Sequence, residues 1–181
     1  SHPITTGYIT QIYEDHAKTI WIGSWNDGFW TIDPQGKCTN TRKGKLLVSN
    51  FVRTFCEDNS GVMWIGTYLG LTRYNPRTGA SSTFTANTQE KSLTNSSIWS
   101  IIKDNQGTLW VGTYFGGVNY FNPEYEIYTQ YRLQEKNRPG LSSQIVGRMT
   151  EDDKGNLWIC TEGGGLNIYN PHTQVFSHHN Q

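Results

Sequence analysis

Apolar residues come along this chain in short runs separated by turn-forming residues, and the runs recur in one order. The firmest run is Leu109-Trp110-Val111-Gly112-Thr113. Ile20-Trp21-Ile22-Gly23-Ser24, Met63-Trp64-Ile65-Gly66-Thr67 and Leu157-Trp158-Ile159-Cys160-Thr161 repeat it. The four tryptophans are 43, 46 and 48 residues apart, the spacing of one supersecondary unit repeated four times. Each unit opens with a strand of its own: Ile9–Glu14, Val52–Glu57, Ile98–Lys103 and Val146–Glu151. Each of these runs into an aspartate, namely Asp15, Asp58, Asp104 and Asp152. Three residues later stands Gly61, Gly107 or Gly155, but Lys18 in the first copy. Asp opening a turn and Gly closing it where φ is positive predicts a tight hairpin. Lys18 predicts a looser first turn.

The tryptophan strand is apolar on both faces of its pleat, so it is expected to be covered on both. Two residues after each tryptophan stand Gly23, Gly66, Gly112 and Cys160. That pattern calls for a small side chain against the indole or a neighbouring sheet, with Cys160 fitting under some strain. A glycine-containing corner and a third strand follow, ending at Asp33-Pro34, Asn75-Pro76, Asn122-Pro123 and Asn170-Pro171, a strand stop and turn start. The second copy is one residue shorter in its corner. The last segment of each unit reads as a polar-alternating edge strand around Phe84, Ile127–Tyr131 and Val175; Cys38–Thr41 in the first copy is a poor strand. Polar connections run over Glu90–Ser97 and Gln134–Gln144, with Arg138-Pro139-Gly140 as a loop.

Four antiparallel strands cannot bury a two-sided apolar face alone, whereas stacked neighbours can. The fold class is therefore all-β: four four-stranded antiparallel propeller blades. The chain is expected to be one partial β-propeller region over 1–181, with blades at about 8–48, 51–86, 97–133 and 145–179. It is a closed four-blade ring or part of a larger one. An incomplete array exposes apolar blade faces, so self-association is expected, for instance two four-blade arcs completing one ring.

The repeat also resembles a known family. Asp-x-x-Gly, Leu-Trp-Ile-Gly-Thr, Gly-Leu and Tyr-Asn-Pro, best seen from Glu57 to Pro76, are similar to the two-component regulator propeller repeat over essentially the whole chain. The resemblance implies a larger, seven-bladed type of propeller in the periplasmic sensor of Bacteroides-type hybrid two-component systems. It also implies a membrane span, histidine kinase, receiver and often a DNA-binding domain in parts absent from this chain, with oligosaccharides from polysaccharide breakdown as ligands. Lys18, Cys160 and Phe29-Trp30 depart from the repeat pattern.

Composition narrows the function. Lys plus Arg equal Asp plus Glu at 15 each, which gives no electrostatic case for nucleic acid or an anionic membrane. No run approaches a membrane span, so a membrane would be reached only through missing parts. Ser1 in place of an initiator Met suggests a piece of a longer protein. Cys38, Cys56 and Cys160 are odd in number with no metal-ligand spacing; Cys56 and Cys160 lie in apolar strands and are expected to be buried thiols. Of His2, His16, His172, His178 and His179, the adjacent last two would face opposite ways on a strand, a poor metal pair. Solvated terminal histidines are the expectation. The Glu-Asp pairs recur with the turn and fit turn chemistry better than acid–base catalysis. No cofactor, metal or catalytic set is expected, and the segment is read as non-catalytic.

Binding is better supported. In a four-strand meander the second corner and the approach to the first strand share one end of the blade. That end collects Trp25, Tyr68, Tyr114, Phe115 and Glu162 with Asn50, Arg53, Asn95, Trp99, Gln144 and Arg148. Rings beside amides and guanidinium suit sugars, although the same rings could simply pack the corner. Trp21, Trp64, Trp110 and Trp158 are the structural anchors. The alternatives are a protein-interaction propeller using the same face, and a propeller lyase or hydrolase, for which Glu162, Arg53 or Arg148 would have to serve.

Overall fold

The residues between the turn signals pair locally, each strand with the one before it. A computed structural model describes residues 4, 7–42, 44, 46–87, 92–122, 127–135 and 139–179. His2, Glu90, Pro123 and Arg138 therefore lie outside the described residues. The first sheet holds β1 (Ile9–Glu14), β2 (Ile20–Ser24), β3 (Phe29–Ile32) and β4 (Cys38–Thr41). The second holds β5 (Val52–Glu57), β6 (Met63–Thr67), β7 (Gly70–Tyr74) and β8 (Ser81–Phe84). The third holds β9 (Ile98–Lys103), β10 (Leu109–Thr113), β11 (Val118–Asn122) and β12 (Ile127–Tyr131). The fourth holds β13 (Val146–Glu151), β14 (Leu157–Thr161), β15 (Gly165–Asn170) and β16 (Val175–His179). Each sheet is an antiparallel meander in chain order, the expected all-β set of blades. Cys38–Thr41, read as a poor strand, pairs along its whole length with β3. Its residues are polar because it is an outer edge, and backbone pairing does not require them to be otherwise.

The blades pack on one another through their first strands: β5 lies against β1 and β2, β9 against β5 and β6, and β13 against β9 and β10. The small residue after each tryptophan is where this happens. A Cβ on Gly66 would stand 2.6 Å from Ile98 Cγ2, and one on Gly112 would stand 2.6 Å from Val146 Cγ1. The blade's own first strand is as close, with Thr54 Cγ2 2.6 Å from that position on Gly66 and Ser100 Oγ 2.8 Å from that on Gly112, so the need is set by the two first strands, not by the indole. Cys160 is exposed, contrary to the expectation of a buried, strained thiol, because among the described residues no further sheet packs on β14.

The indoles are wedged between blades. Trp21 meets Tyr74 of the next blade at 6.2 Å between ring centroids, Trp64 meets Phe121 at 5.3 Å, and Trp110 meets Tyr169 at 5.5 Å. Those three partners each precede an Asn-Pro stop, so the aromatic before the stop is the seat for the preceding tryptophan. Burial of Trp21, Trp64 and Trp110 is nearly complete; Trp158, on the open last face, is half-buried.

The first turn is not loose. Lys18 N–H donates to Asp15 C=O at 3.0 Å, against 3.1, 3.0 and 3.0 Å for Gly61, Gly107 and Gly155. Lys18 itself adopts φ +67. The hydrogen bonds of the turn, including Thr19 N–H to Asp15 Oδ1 at 2.8 Å, hold it there against a cost of roughly 1 kcal/mol.

Candidate functional site

One end of every blade is built by the same two devices. The first corner residue donates its main-chain N–H to the carbonyl of the residue leading into the first strand. The pairs are Trp25 to Tyr8 at 3.1 Å, Tyr68 to Phe51 at 3.1 Å, Tyr114 to Ser97 at 3.0 Å and Glu162 to Ile145 at 2.9 Å. The hydroxyl that ends each tryptophan strand then ties the corner shut. Ser24, Thr67, Thr113 and Thr161 donate to the carbonyls of Gly28, Gly70, Gly117 and Gly165 at 2.9–3.0 Å. Corner and lead-in thus form one rim, as the meander geometry required.

Each first strand is also bulged close to this rim. The register slips between Ile9 and Gln11, between Val52 and Thr54, between Ile98 and Ser100, and between Val146 and Met149. The residues left out of the pairing are Thr10, Arg53, Trp99 and the pair Gly147 and Arg148. A bulge re-aims a side chain out of its ladder. Four of these five line a cavity of ≈ 180 Å³ together with Trp25: Thr10, Arg53, Trp99 and Arg148.

Arg53 is the centre of the rim. Its guanidinium carbon lies 4.4 Å from the Trp99 ring, 5.2 Å from Tyr68 and 5.9 Å from Trp25. Its Nη1 donates to Ser97 Oγ at 2.8 Å and Ile98 C=O at 3.2 Å; its Nε is buried without an acceptor among the described residues. Burial pushes the guanidinium below its ordinary value, opposed by the Tyr68 and Tyr114 hydroxyls. Around it, Phe51 joins Trp25 at 5.5 Å and Tyr68 at 5.9 Å. Trp99 stacks on Tyr114 at 5.7 Å and 26°, and Tyr114 meets Phe115 edge-on at 4.5 Å. Trp25, Tyr68 and Phe115 remain 41%, 48% and 56% exposed. The rings therefore pack the corners and still present area to solvent.

Of the residues singled out in the sequence, the structure brings together Trp25, Tyr68, Tyr114, Phe115, Arg53, Trp99 and Arg148. Glu162 occupies the fourth corner, exposed, outside the lining of the cavity. Asn95 is taken up locally, its Oδ1 accepting Ser97 N–H at 2.8 Å. Gln144 is exposed and lends its carbonyl to Gly117 N–H. Sequence reasoning missed Phe51, Ser97 and Thr10. A signal existed for the first two, since each immediately precedes a first strand; Thr10 needs knowledge of the bulge.

The opposite end carries the turns and their carboxylates. Glu57 accepts the His16 main-chain N–H at 2.9 Å and also meets the His16 ring. Glu151 likewise accepts Asn105 N–H from the preceding blade at 2.9 Å. These acids bolt neighbouring blades together. Burial raises the Glu151 pKa, opposed by the Asn105 bond. Hydrogen bonds from Trp158, then Asn156, hold the Asp152 carboxylate well below the usual range. Of the terminal histidines expected to be solvated, His178 is engaged, its Nε2 2.8 Å from Gly140 C=O, while His179 is exposed. Among the described residues no three His, Cys, Asp or Glu side chains converge as a metal site would need.

The pattern of the Two component regulator propeller family matches residues 3–26, 46–69, 92–115 and 140–163, each match holding a first strand, its turn and the tryptophan strand. No curated protein matches the sequence. Among solved structures, the chain is similar to the extracellular domain of a protein assigned as a hybrid two component system from B. thetaiotaomicron. The identity is 24% and the TM-score 0.84, over 98% of this chain and 25% of that one. A second such domain from B. thetaiotaomicron is 22% identical, with TM-score 0.78, over 94% of this chain and 25% of that one. Virginiamycin B lyase from Staphylococcus aureus shares 14% identity, with TM-score 0.72, over 99% of this chain and 57% of that one. These likenesses are of fold, and this chain spans about one quarter of the length of the first two.

Proposed function

Because the chain belongs to the two component regulator propeller family, we propose that it is a ligand-sensing piece of an extracytoplasmic sensor, non-catalytic in itself, that controls a linked histidine kinase. The two B. thetaiotaomicron structures it is similar to are extracellular domains of hybrid two component systems, which supports a periplasmic place for it. The kinase, the membrane span and any DNA-binding part belong to the rest of such a protein, and this segment binds no nucleic acid. The ligand is an oligosaccharide from polysaccharide breakdown. One observation carries that reading: Trp25 and Trp99 flank a small cavity together with Arg53, Arg148 and Thr10. Indole faces cover the apolar face of a sugar ring, and guanidinium and hydroxyl groups take its hydroxyls. Binding alters the kinase only insofar as the ligand prefers one of two sensor states.

Calorimetric titration of the full sensor with oligosaccharide panels tests this. Saturable binding that is lost in Trp99→Ala and weakened in Trp25→Ala supports it. Indifference to every sugar, with a polypeptide retained on the same rim, would make the propeller a protein-interaction module instead. We also propose that the chain on its own pairs with a second copy through its open blade faces.

A further inference from the structure

The charge of the rim cavity is one-sided. Arg53 and Arg148 both line it, with two indoles and one hydroxyl, and no carboxylate does among the described residues. Neither arginine is in a salt bridge among the described residues, whose ion pairs are His16 with Glu57, Lys18 with Glu14 and Arg42 with Asp27. The acid nearest in the repeat pattern is Glu162, at the corner of the blade that carries Arg148, and it forms no such pair. Arg53 is half-buried and held by π faces and neutral acceptors: the Trp99 ring, Ser97 Oγ and Ile98 C=O. A desolvated cation without a counter-ion is costly, and an arriving anion would relieve it. The guanidinium fork suits a planar carboxylate or a sulfate, with two parallel N–H bonds.

We propose that the rim site takes an acidic oligosaccharide, its anionic group between Arg53 and Arg148 and its ring against the Trp99 and Trp25 indoles. This rests on the sugar-binding reading of the same rim, and adds that the ligand is charged. Exposed Arg148 makes first contact and the cavity supplies the second, half-buried cation. A neutral sugar would fill the same volume and leave Arg53 uncompensated.

The experiment uses the full sensor that carries this chain and three sets of probes: oligogalacturonides, the same oligosaccharides after carboxyl reduction, and sulfated chondroitin oligosaccharides. The expected result is at least tenfold tighter binding of one acidic set than of the reduced set, with affinity falling as salt is raised. Preference for the first over the third assigns a carboxylate, and a preference for the third that is lost on its desulfation assigns a sulfate. Arg148→Gln, a surface change, should weaken the acidic ligand about tenfold, as expected for one charge-assisted contact, and the reduced one, which keeps only neutral hydrogen bonds to that side chain, by clearly less. Arg53→Lys should weaken it too by removing the fork while keeping the charge. Equal binding of acidic and reduced oligosaccharides overturns the charge assignment and leaves the sugar reading standing. Binding of none overturns both.

Discussion

The Asp58 carboxylate accepts the indole N–H of Trp64 at 2.9 Å, and the same pair recurs six residues apart in every blade: Asp15 with Trp21 at 2.8 Å, Asp104 with Trp110 at 2.8 Å, and Asp152 with Trp158 at 2.9 Å. The aspartate thus has two roles. One oxygen closes the hairpin turn, where Asp58 Oδ1 accepts from Ser60 N–H at 2.9 Å and Val62 N–H at 3.1 Å. The other satisfies the one polar atom of an indole otherwise buried among apolar groups. The turn and the interblade wedge are therefore a single unit.

Asp58→Ala should destabilise the chain by roughly 3 kcal/mol, because several buried donors lose a charged acceptor at once. Asp58→Asn should cost less, since one amide oxygen keeps the turn bonds while its NH₂ faces the indole N–H. The midpoint of urea unfolding, at unchanged slope, reads the difference. A shift of Asp58→Ala within error of wild type would refute the shared role.

The glycine after each tryptophan makes a second, asymmetric prediction. Gly112→Ala places a Cβ 2.6 Å from Val146 Cγ1 and 2.8 Å from Ser100 Oγ, inside a filled seam, and should cost about 1–3 kcal/mol. Cys160→Gly alters the matching position on an open face and should change stability by less than about 0.5 kcal/mol. Thermal unfolding of the two variants side by side is enough. Equal effects would mean that the seam does not set the requirement for a small residue.

The strands were legible because periodicity and turn residues act locally: all four first strands begin and end at the residues the apolar runs suggested. Four features were not. Asp-to-indole bonding is invisible in a pattern that already explains the aspartate as a turn residue. The bulges at Thr10, Arg53 and Trp99 follow from pairing register, which a single strand does not encode, although Arg53 and Trp99 could be nominated by chemistry alone. Cys160 was misread as buried because its strand is as apolar as the other three; its exposure depends on what stands beside the blade. Lys18 was misread because local propensity was allowed to outvote a turn held by its aspartate.

The thiols differ by more than exposure. Burial pushes the Cys56 thiol up to about 12 from 9.0. A group whose pKa is raised by folding contributes stability that is complete below its unfolded value and lost as pH rises towards its folded one. Wild type should therefore lose stability between about pH 9 and pH 12, by about 4 kcal/mol at most from this group. Tyr13 and Tyr131, also raised by burial, add a loss of the same sign. Cys56→Ala should keep the tyrosine part and lack the rest, so the stability gap between variant and wild type should move in the variant's favour from pH 8 to pH 11. Parallel pH profiles would remove the cysteine from the account. At neutral pH a maleimide should label Cys160 at once and Cys56 only on unfolding.

Self-association is the last prediction, and the repeat specifies its contacts. Val52, Ile98 and Val146 are fully buried against the preceding blade, as are Phe55, Ile101 and Met149 to within 8%. Their equivalents on β1, Ile9 and Ile12, are 54% and 62% exposed. Glu14 stands where Glu57 and Glu151 reach back to a turn N–H, and Ile32 stands where Tyr74, Phe121 and Tyr169 seat a tryptophan. On the other face of the arc, Trp158 and Cys160 await such a partner. The predicted contact sets the first blade of one copy against the last blade of another, with Ile32 on Trp158, Ile9 on Cys160 and Glu14 accepting from Asp153 N–H. The contact is head to tail, so two arcs close into an eight-blade ring within the usual range if the curvature permits. Sedimentation velocity should show a dimer that grows with concentration, and Ile12→Lys should return it to monomer without unfolding it, since that side chain is already exposed. Maleimide labelling of Cys160 should slow as the dimer forms. A chain that stays monomeric up to about 100 μM, a concentration at which contacts of roughly −8 kcal/mol would be nearly saturated, would show that these open faces do not recognise each other.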